Sequence, residues 1–176
     1  SIRNSQPWKF VLSGTEIDVF ADHARWLSVA DGDRRELHLS LGCAIESLRI
    51  AADFAGYGTG LQYFPMQNDE TLVARVSVAL GGPKRADPAA GLLRSMLTRR
   101  TSRRVFDTAN PVSDKDKSAL YSCFEAGDVS LHFLSERPAL DALAALEARA
   151  DAMLFANPEY RAEGVEEEDE ETPGGA

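Results

Sequence analysis

The chain has 176 residues and a mass of 19.2 kDa, is 44% hydrophobic and 27% charged, and so has the composition of a soluble globular protein of one domain or slightly more. Two cysteines 80 residues apart, Cys43 and Cys123, exclude a disulfide framework and a cysteine-built zinc site, and no run approaches the ~18 apolar residues of a membrane span. The net charge of -9 argues against a nucleic-acid binder, but residues 161–176 carry seven acids and one base, a net of -6, so the body of the chain holds only -3.

Residues 9–12 and 16–20 read as two short strands, with Ser13-Gly14-Thr15 as the turn of a hairpin. The polar loop DHARWLSVADGD follows, and Asp33 is the expected cap of a long helix through RRELHLSLGCAIESLRIAADFAGY. Leu37, Leu41, Ala44, Ile45, Leu48, Ala51 and Ala52 recur at spacings of 3 and 4 and form one apolar stripe. Cys43 is expected on the apolar side of that helix, as core, and Gly56 and Gly58 are expected to end it. Strands are predicted over 61–64 and 72–80, the second broken by Gly81-Gly82-Pro83. KRADPA reads as a linker, followed by a helix over 88–97 and the basic stretch TRRTSRRVFDTANPV. Ser113 caps a further helix, with Asp116 in the capping-box position, and that helix runs to about Gly127. A short strand over 129–134 and a helix through ALDALAALEARADAMLF complete the ordered part, and the acidic tail reads as disordered. Strands and helices mix without regular βαβ alternation, which predicts an α+β fold. No secretory leader is expected, and the chain reads as cytoplasmic.

Two stretches carry chemistry. In Asn4-Ser5-Gln6-Pro7-Trp8, Pro7 fixes its own φ and favours an extended Gln6, while Asn4 and Gln6 each offer a carboxamide with donor and acceptor together. Such groups suit a heterocycle edge that alternates C=O and N–H. The same residues also serve as a plain turn leading into a strand, with Trp8 in the core. In Thr98-Arg99-Arg100-Thr101-Ser102-Arg103-Arg104, four arginines and three hydroxyls lie within seven residues of an acidic protein. Guanidinium forks and hydroxyls suit a phosphate dianion, although a solvated basic stretch reads the same way.

Other patterns are weaker. Gly56-Tyr57-Gly58-Thr59-Gly60 fails the dinucleotide fingerprint, because Leu61 stands where its last glycine belongs and the run follows a helix, so it reads as a helix end plus turn. Asp31, Asp33 and Glu36 lack EF-hand spacing and read as helix-cap and first-turn acids. His23 and His38 have no evident carboxylate or serine partner, so a hydrolytic triad has no support, and no metal site is expected.

Taken together, the two stretches resemble a known family. SIRNSQPWKF is similar to the PSxxNxQPWxF segment of FMN-dependent nitroreductases, and RTSRRVF to the RxSxRxF segment that begins that fold. The family's usual order is reversed here, and the separation is about 95 residues. Two nitroreductase-like repeats in tandem account for this, as in the two-lobed actinobacterial members, which DGDRREL, SLGCA and ANPEYRAE also resemble. The resemblance implies a nitroreductase-like mixed sheet flanked by helices, with 1–82 as a first lobe lacking its start, 89–163 as the start of a second, and 164–176 as a tail, the whole being a fragment of a longer chain.

The resemblance implies an FMN-binding bacterial oxidoreductase that passes hydride from NAD(P)H to a small nitroaromatic or quinone, with no protein acid, base or nucleophile. Asn4, Gln6, Pro7, Trp8, Lys9 and Phe10 would approach FMN from the first lobe, and Arg100, Thr101, Ser102 and Arg104 from the second. Arg100 and Ser102 would hold the phosphate, and Arg104 would lie nearer the ring. A second lobe or subunit would complete the site, and an FMN-sequestering protein without turnover is the alternative.

Overall fold

Residues 16–19 alternate polar and apolar side chains, so a strand here buries one face and wets the other. The computed structural model, which describes residues 5–81, 88–101, 110–123 and 129–163, pairs it as expected. β1 (Trp8–Ser13) and β2 (Glu16–Ala21) form an antiparallel hairpin in which Ser13 opposes Glu16, so the turn is the two residues Gly14-Thr15. β2 pairs in turn with β4 (Leu72–Leu80), and β3 (Tyr57–Tyr63) lies on the other side of β4. The sheet order is β1-β2-β4-β3 with every pair antiparallel, and with its helices it makes the predicted α+β fold.

One helix covers the buried face. α1 (Arg35–Phe54) turns Leu37, Leu41 and Ile45 onto Val19 and Ala21 of β2 and Val73, Ala74 and Val76 of β4. Each is at most 8% exposed, and Leu41, Val19, Ala74 and Val76 are fully buried. Burying a Leu, Ile or Val side chain contributes about 1.5–3 kcal/mol, so this cluster is the energetic centre of the sheet half. The expected stripe is therefore the buried one, but Cys43 departs from it and is exposed. It lies two residues past Leu41, about 200° around the helix, and so faces outward.

The helix starts differently from the expectation. Arg34 takes a left-handed conformation (φ 60°) and offers no side-chain cap. Asp31, 6% exposed, accepts from the backbone N–H groups of Glu36 (2.9 Å) and Leu37 (2.8 Å). Asp33 only reaches the Arg35 N–H at 3.2 Å, from an exposed position. Gly56 (φ 84°) ends the helix, and the strand begins at Tyr57 rather than at Leu61. Gly60 is a strand residue facing Ser77, whose Oγ would lie 2.5 Å from any Cβ added there. Close strand approach, not a turn, accounts for that glycine.

On the other face of the sheet, Asp18 and Arg75 are cross-strand partners. The guanidinium grips the carboxylate in a fork, Nε to Oδ1 at 2.7 Å and Nη2 to Oδ2 at 2.8 Å. That hydrogen bonding, reinforced by the charge of Arg75 and opposed by desolvation, holds the Asp18 carboxyl below the usual carboxylate range.

α2 (Pro88–Thr98) packs against α1. The chain divides into two compact units, one comprising Ser1–Arg99 with Asn157–Ala176 and the other Arg100–Ala156. In the second unit, Ser113 caps α3 (Asp114–Ser122) as predicted, its Oγ accepting the Asp116 N–H at 3.2 Å, while the Ser113 hydroxyl, in place of its backbone N–H, donates to the Asp116 carboxylate at 2.6 Å. α3 ends at Ser122, short of Gly127, which lies outside the described residues. Residues 129–134 have no regular secondary structure and pair with no described strand, so the expected strand is not formed there. Phe133 instead packs edge-to-face on Tyr121 at 5.0 Å. α4 (Arg137–Ala156) follows, with Leu143, Leu146, Met153 and Phe155 exposed. The acidic tail from residue 164 lies outside the described residues.

Candidate functional site

The QPW segment is tied down at the mouth of β1. Pro7 is buried, and its carbonyl accepts the Asp22 N–H at 3.0 Å. The Gln6 carbonyl accepts the Trp8 N–H at 2.8 Å, closing a tight turn around Pro7. This turn places Gln6 at φ 47°, in the left-handed region rather than the extended one that the following proline favours. The bond across Pro7 and its burial override the local preference, and such a conformation in a residue with a Cβ is stored strain. The result is an exposed Gln6, a Trp8 half-buried against the core, and exposed Lys9 and Phe10.

Asp22, at the end of β2, organises this corner. It is 7% exposed, and its Oδ1 accepts the Ala24 N–H at 3.2 Å and the Lys9 ammonium at 2.9 Å. The bond from Lys9 chiefly holds its carboxyl below the ordinary range, against desolvation and with help from the Ala24 N–H and the charges of Lys9 and Arg25. Arg25, in the short 3-10 turn His23–Arg25, donates to the Ser5 carbonyl at 3.4 Å. Next along the chain, the Trp26 indole N–H donates to the Asp31 carbonyl at 3.0 Å, and the Arg34 guanidinium lies 5.2 Å from the Trp26 ring centroid.

The chain returns to this loop from its far end. Residues 158–163 are helical, and both carboxylate oxygens of Glu163 are occupied. They accept the consecutive N–H groups of Val29 and Ala30, each at 2.9 Å. Sequence reasoning singled out neither Asp22 nor Glu163. An Asp two residues before a backbone N–H it can cap is a local signal for the first. The second pairs residues more than 130 apart and has no local signal.

Of the expected cofactor residues, Gln6, Pro7, Trp8, Lys9 and Phe10 therefore sit together in the first unit. Arg100 and Thr101 are exposed and open the other unit. Asn4, Ser102 and Arg104 lie outside the described residues. Among the described residues no group of three His, Cys, Asp or Glu could hold a metal, and no helix is long and apolar enough to cross a membrane. A shallow cavity of about 530 Å³ runs along the outer side of α1, lined by Arg35, His38, Leu39, Gly42, Cys43 and Glu46, and none of the described site residues lines it. The donor set fits a flavin nucleotide chemically. The first unit offers a carboxamide for a C=O and N–H edge, aromatic faces for a ring and an ammonium for anionic oxygens, and the second unit, taken by itself, offers a guanidinium and a hydroxyl.

Comparison with known proteins agrees on the family. Two proteins of Mycobacterium tuberculosis, Rv3131 and acg, are provisionally named as NAD(P)H nitroreductases. The chain is 31% identical to the first over 160 residues, which is 91% of this chain and 45% of that protein. It is 29% identical to the second over 171 residues, 93% of this chain and 48% of that one. Over these residues the chain belongs to the nitroreductase family. It spans about half the length of these relatives. An uncharacterized protein of the same organism, Rv3127, is 31% identical over 118 residues, 61% of this chain and 32% of its own length. No family model matches the chain.

Proposed function

We propose that this nitroreductase-family chain supplies part of an FMN site in a cytoplasmic oxidoreductase that takes electrons from NAD(P)H and reduces nitroaromatic or quinone acceptors. The observation that carries the reading is the tied turn at Pro7, which presents the Gln6 carboxamide and the Lys9 ammonium to solvent from a rigid strand end. The names of the two relatives support the choice of electron donor.

In this reading Gln6, with Asn4, hydrogen-bonds the pyrimidine edge of the flavin, and Trp8 and Phe10 give apolar contact. Lys9 contributes positive charge, and Arg100, Thr101, Ser102 and Arg104 serve the phosphate and the ring from the second unit. FMN, when bound, supplies the hydride-accepting chemistry, and the protein's part is to orient and to stabilise charge. Residues 1–82 and 89–163 are read as one lobe and the start of a second in a two-lobed chain. A further lobe or subunit completes the site.

An absorption spectrum of the purified full-length protein between 350 and 500 nm, before and after anaerobic addition of NADPH, tests this. Flavin bands that bleach support it. A protein that carries no flavin and binds none in a fluorescence titration overturns it. Bands that persist under excess NADPH overturn turnover and leave sequestration. Arg100→Ala should weaken FMN binding by about 1–3 kcal/mol, the scale of a charged hydrogen bond.

A further inference from the structure

We infer that Asp22 is the positioning residue of the flavin-facing segment, holding the Lys9 ammonium and the Pro7 carbonyl in fixed places on either side of Trp8. The inference rests on the proposed FMN site and adds a residue to it.

Three observations converge on Asp22. Its backbone N–H donates to the Pro7 carbonyl (3.0 Å), and its carboxylate takes the Lys9 ammonium (2.9 Å), so one residue anchors positions 7 and 9 at once. Asp22 is itself fixed, because the Ala24 N–H donates to the same Oδ1 and the side chain is 9% exposed. Lys9, by contrast, has 64% of its side chain exposed.

That asymmetry argues for placement over stability. A solvent-exposed ammonium gains little from an ion pair, and the lysine stem is among the most flexible of side chains. A buried carboxylate that grips the ammonium removes that freedom before any ligand arrives, and preorganisation of this kind is what raises affinity. An ammonium has three N–H donors. One points to Asp22, and the other two are geometrically able to face an anionic or carbonyl oxygen. Gln6, Pro7 and Trp8 gain the same rigidity from the Pro7 end.

The test is a double-mutant cycle on FMN affinity in the full-length protein, using wild type, Lys9→Gln, Asp22→Asn and the double variant. Each single change should weaken binding by about five- to tenfold, and Asp22→Asn should change it less than about twofold once Lys9 is already Gln. A merely structural Asp22 gives equal losses in both backgrounds, and that result overturns the inference, as does an Asp22→Asn protein with wild-type affinity. A second readout needs no cofactor. Acylation of Lys9 by an N-hydroxysuccinimide ester, mapped by mass spectrometry, should be faster in Asp22→Asn, and an unchanged rate overturns the inference while leaving the FMN reading untouched. Wild-type protein that binds no FMN overturns that reading and this inference with it. Should Asp22→Asn not fold, Asp22→Glu moves the carboxylate by one methylene and should give the same coupling with Lys9. An additive result with Asp22→Glu overturns the inference equally.

Discussion

Replacing Asp31 by Ala is the sharpest test of how α1 is seated. The residue is 6% exposed, and its carboxylate accepts two backbone N–H groups, from Glu36 at 2.9 Å and Leu37 at 2.8 Å. Loss of a helix cap costs about 0.5–2 kcal/mol, and an N–H left unpaired in a buried setting costs about 1–3 kcal/mol. Leu37 is 3% exposed, so its N–H falls in the second class, while Glu36 is exposed and regains water. The expected loss is about 2–3 kcal/mol. With a urea slope of about 2 kcal/mol/M, the unfolding midpoint should fall by about 1–1.5 M. Trp26 is a built-in fluorescent reporter, since its indole N–H bonds the Asp31 carbonyl. Asp33→Ala is the control, because Asp33 is exposed and should cost no more than about 0.5 kcal/mol. Asp31→Asn keeps one acceptor oxygen and should fall between the two. Equal midpoints for Asp31→Ala and Asp33→Ala would refute the reasoning.

Leu41→Ala should cost about 2–5 kcal/mol in the same titration, since the side chain is fully buried between helix and sheet and the packed strands cannot collapse into the space. A loss under 1 kcal/mol would mean that the core is looser than described. Asp18→Asn tests the Arg75 fork through pH. Because Asp18 titrates below its ordinary value near 4 in the folded chain, the unfolded chain binds the proton first, and the stabilisation is full above about pH 4. It is lost as the pH falls through the folded value, so wild type and Asp18→Asn should differ most near neutrality and converge in acid. A gap that widens in acid contradicts the assignment. Glu163→Ala should speed hydrogen exchange at the Val29 and Ala30 amides, and amides that stay protected would show the carboxylate to be dispensable there.

The parts of the fold that sequence made legible are those set by local rules. The 3–4 spacing of the apolar stripe that contains Leu37, Leu41 and Ile45 marked the buried side of α1, and Ser113 with Asp116 marked the start of α3. The parts it hid depend on partners far away. Gly60 reads as a turn residue until Ser77 is placed opposite it. Residues 129–134 have strand-forming side chains, but a strand also needs a neighbour to pair with, and none is present among the described residues. Asp31 displaced Asp33 as the cap because the chain enters α1 through a left-handed Arg34, which shifts the geometry by two residues. For the site, the Gln6-Pro7-Trp8 motif was readable by resemblance. The anchoring through Asp22 and the unextended Gln6 were not, because both arise when β2 delivers its end beside the start of β1.

β1 forms one border of the described sheet, and Phe10, Val11 and Leu12 along it are 46%, 51% and 73% exposed. An uncovered border of this kind is a template on which another chain's strand can grow, and aggregation starts from such rows. Lys9 is the sole charged side chain on the strand, and it is already engaged with Asp22, so it is a poor gatekeeper. Handling of this chain in isolation is therefore governed by its border more than by its core. A lysine at Val11 is the economical remedy, because it raises the barrier to edge-to-edge growth without disturbing the residues that α1 covers.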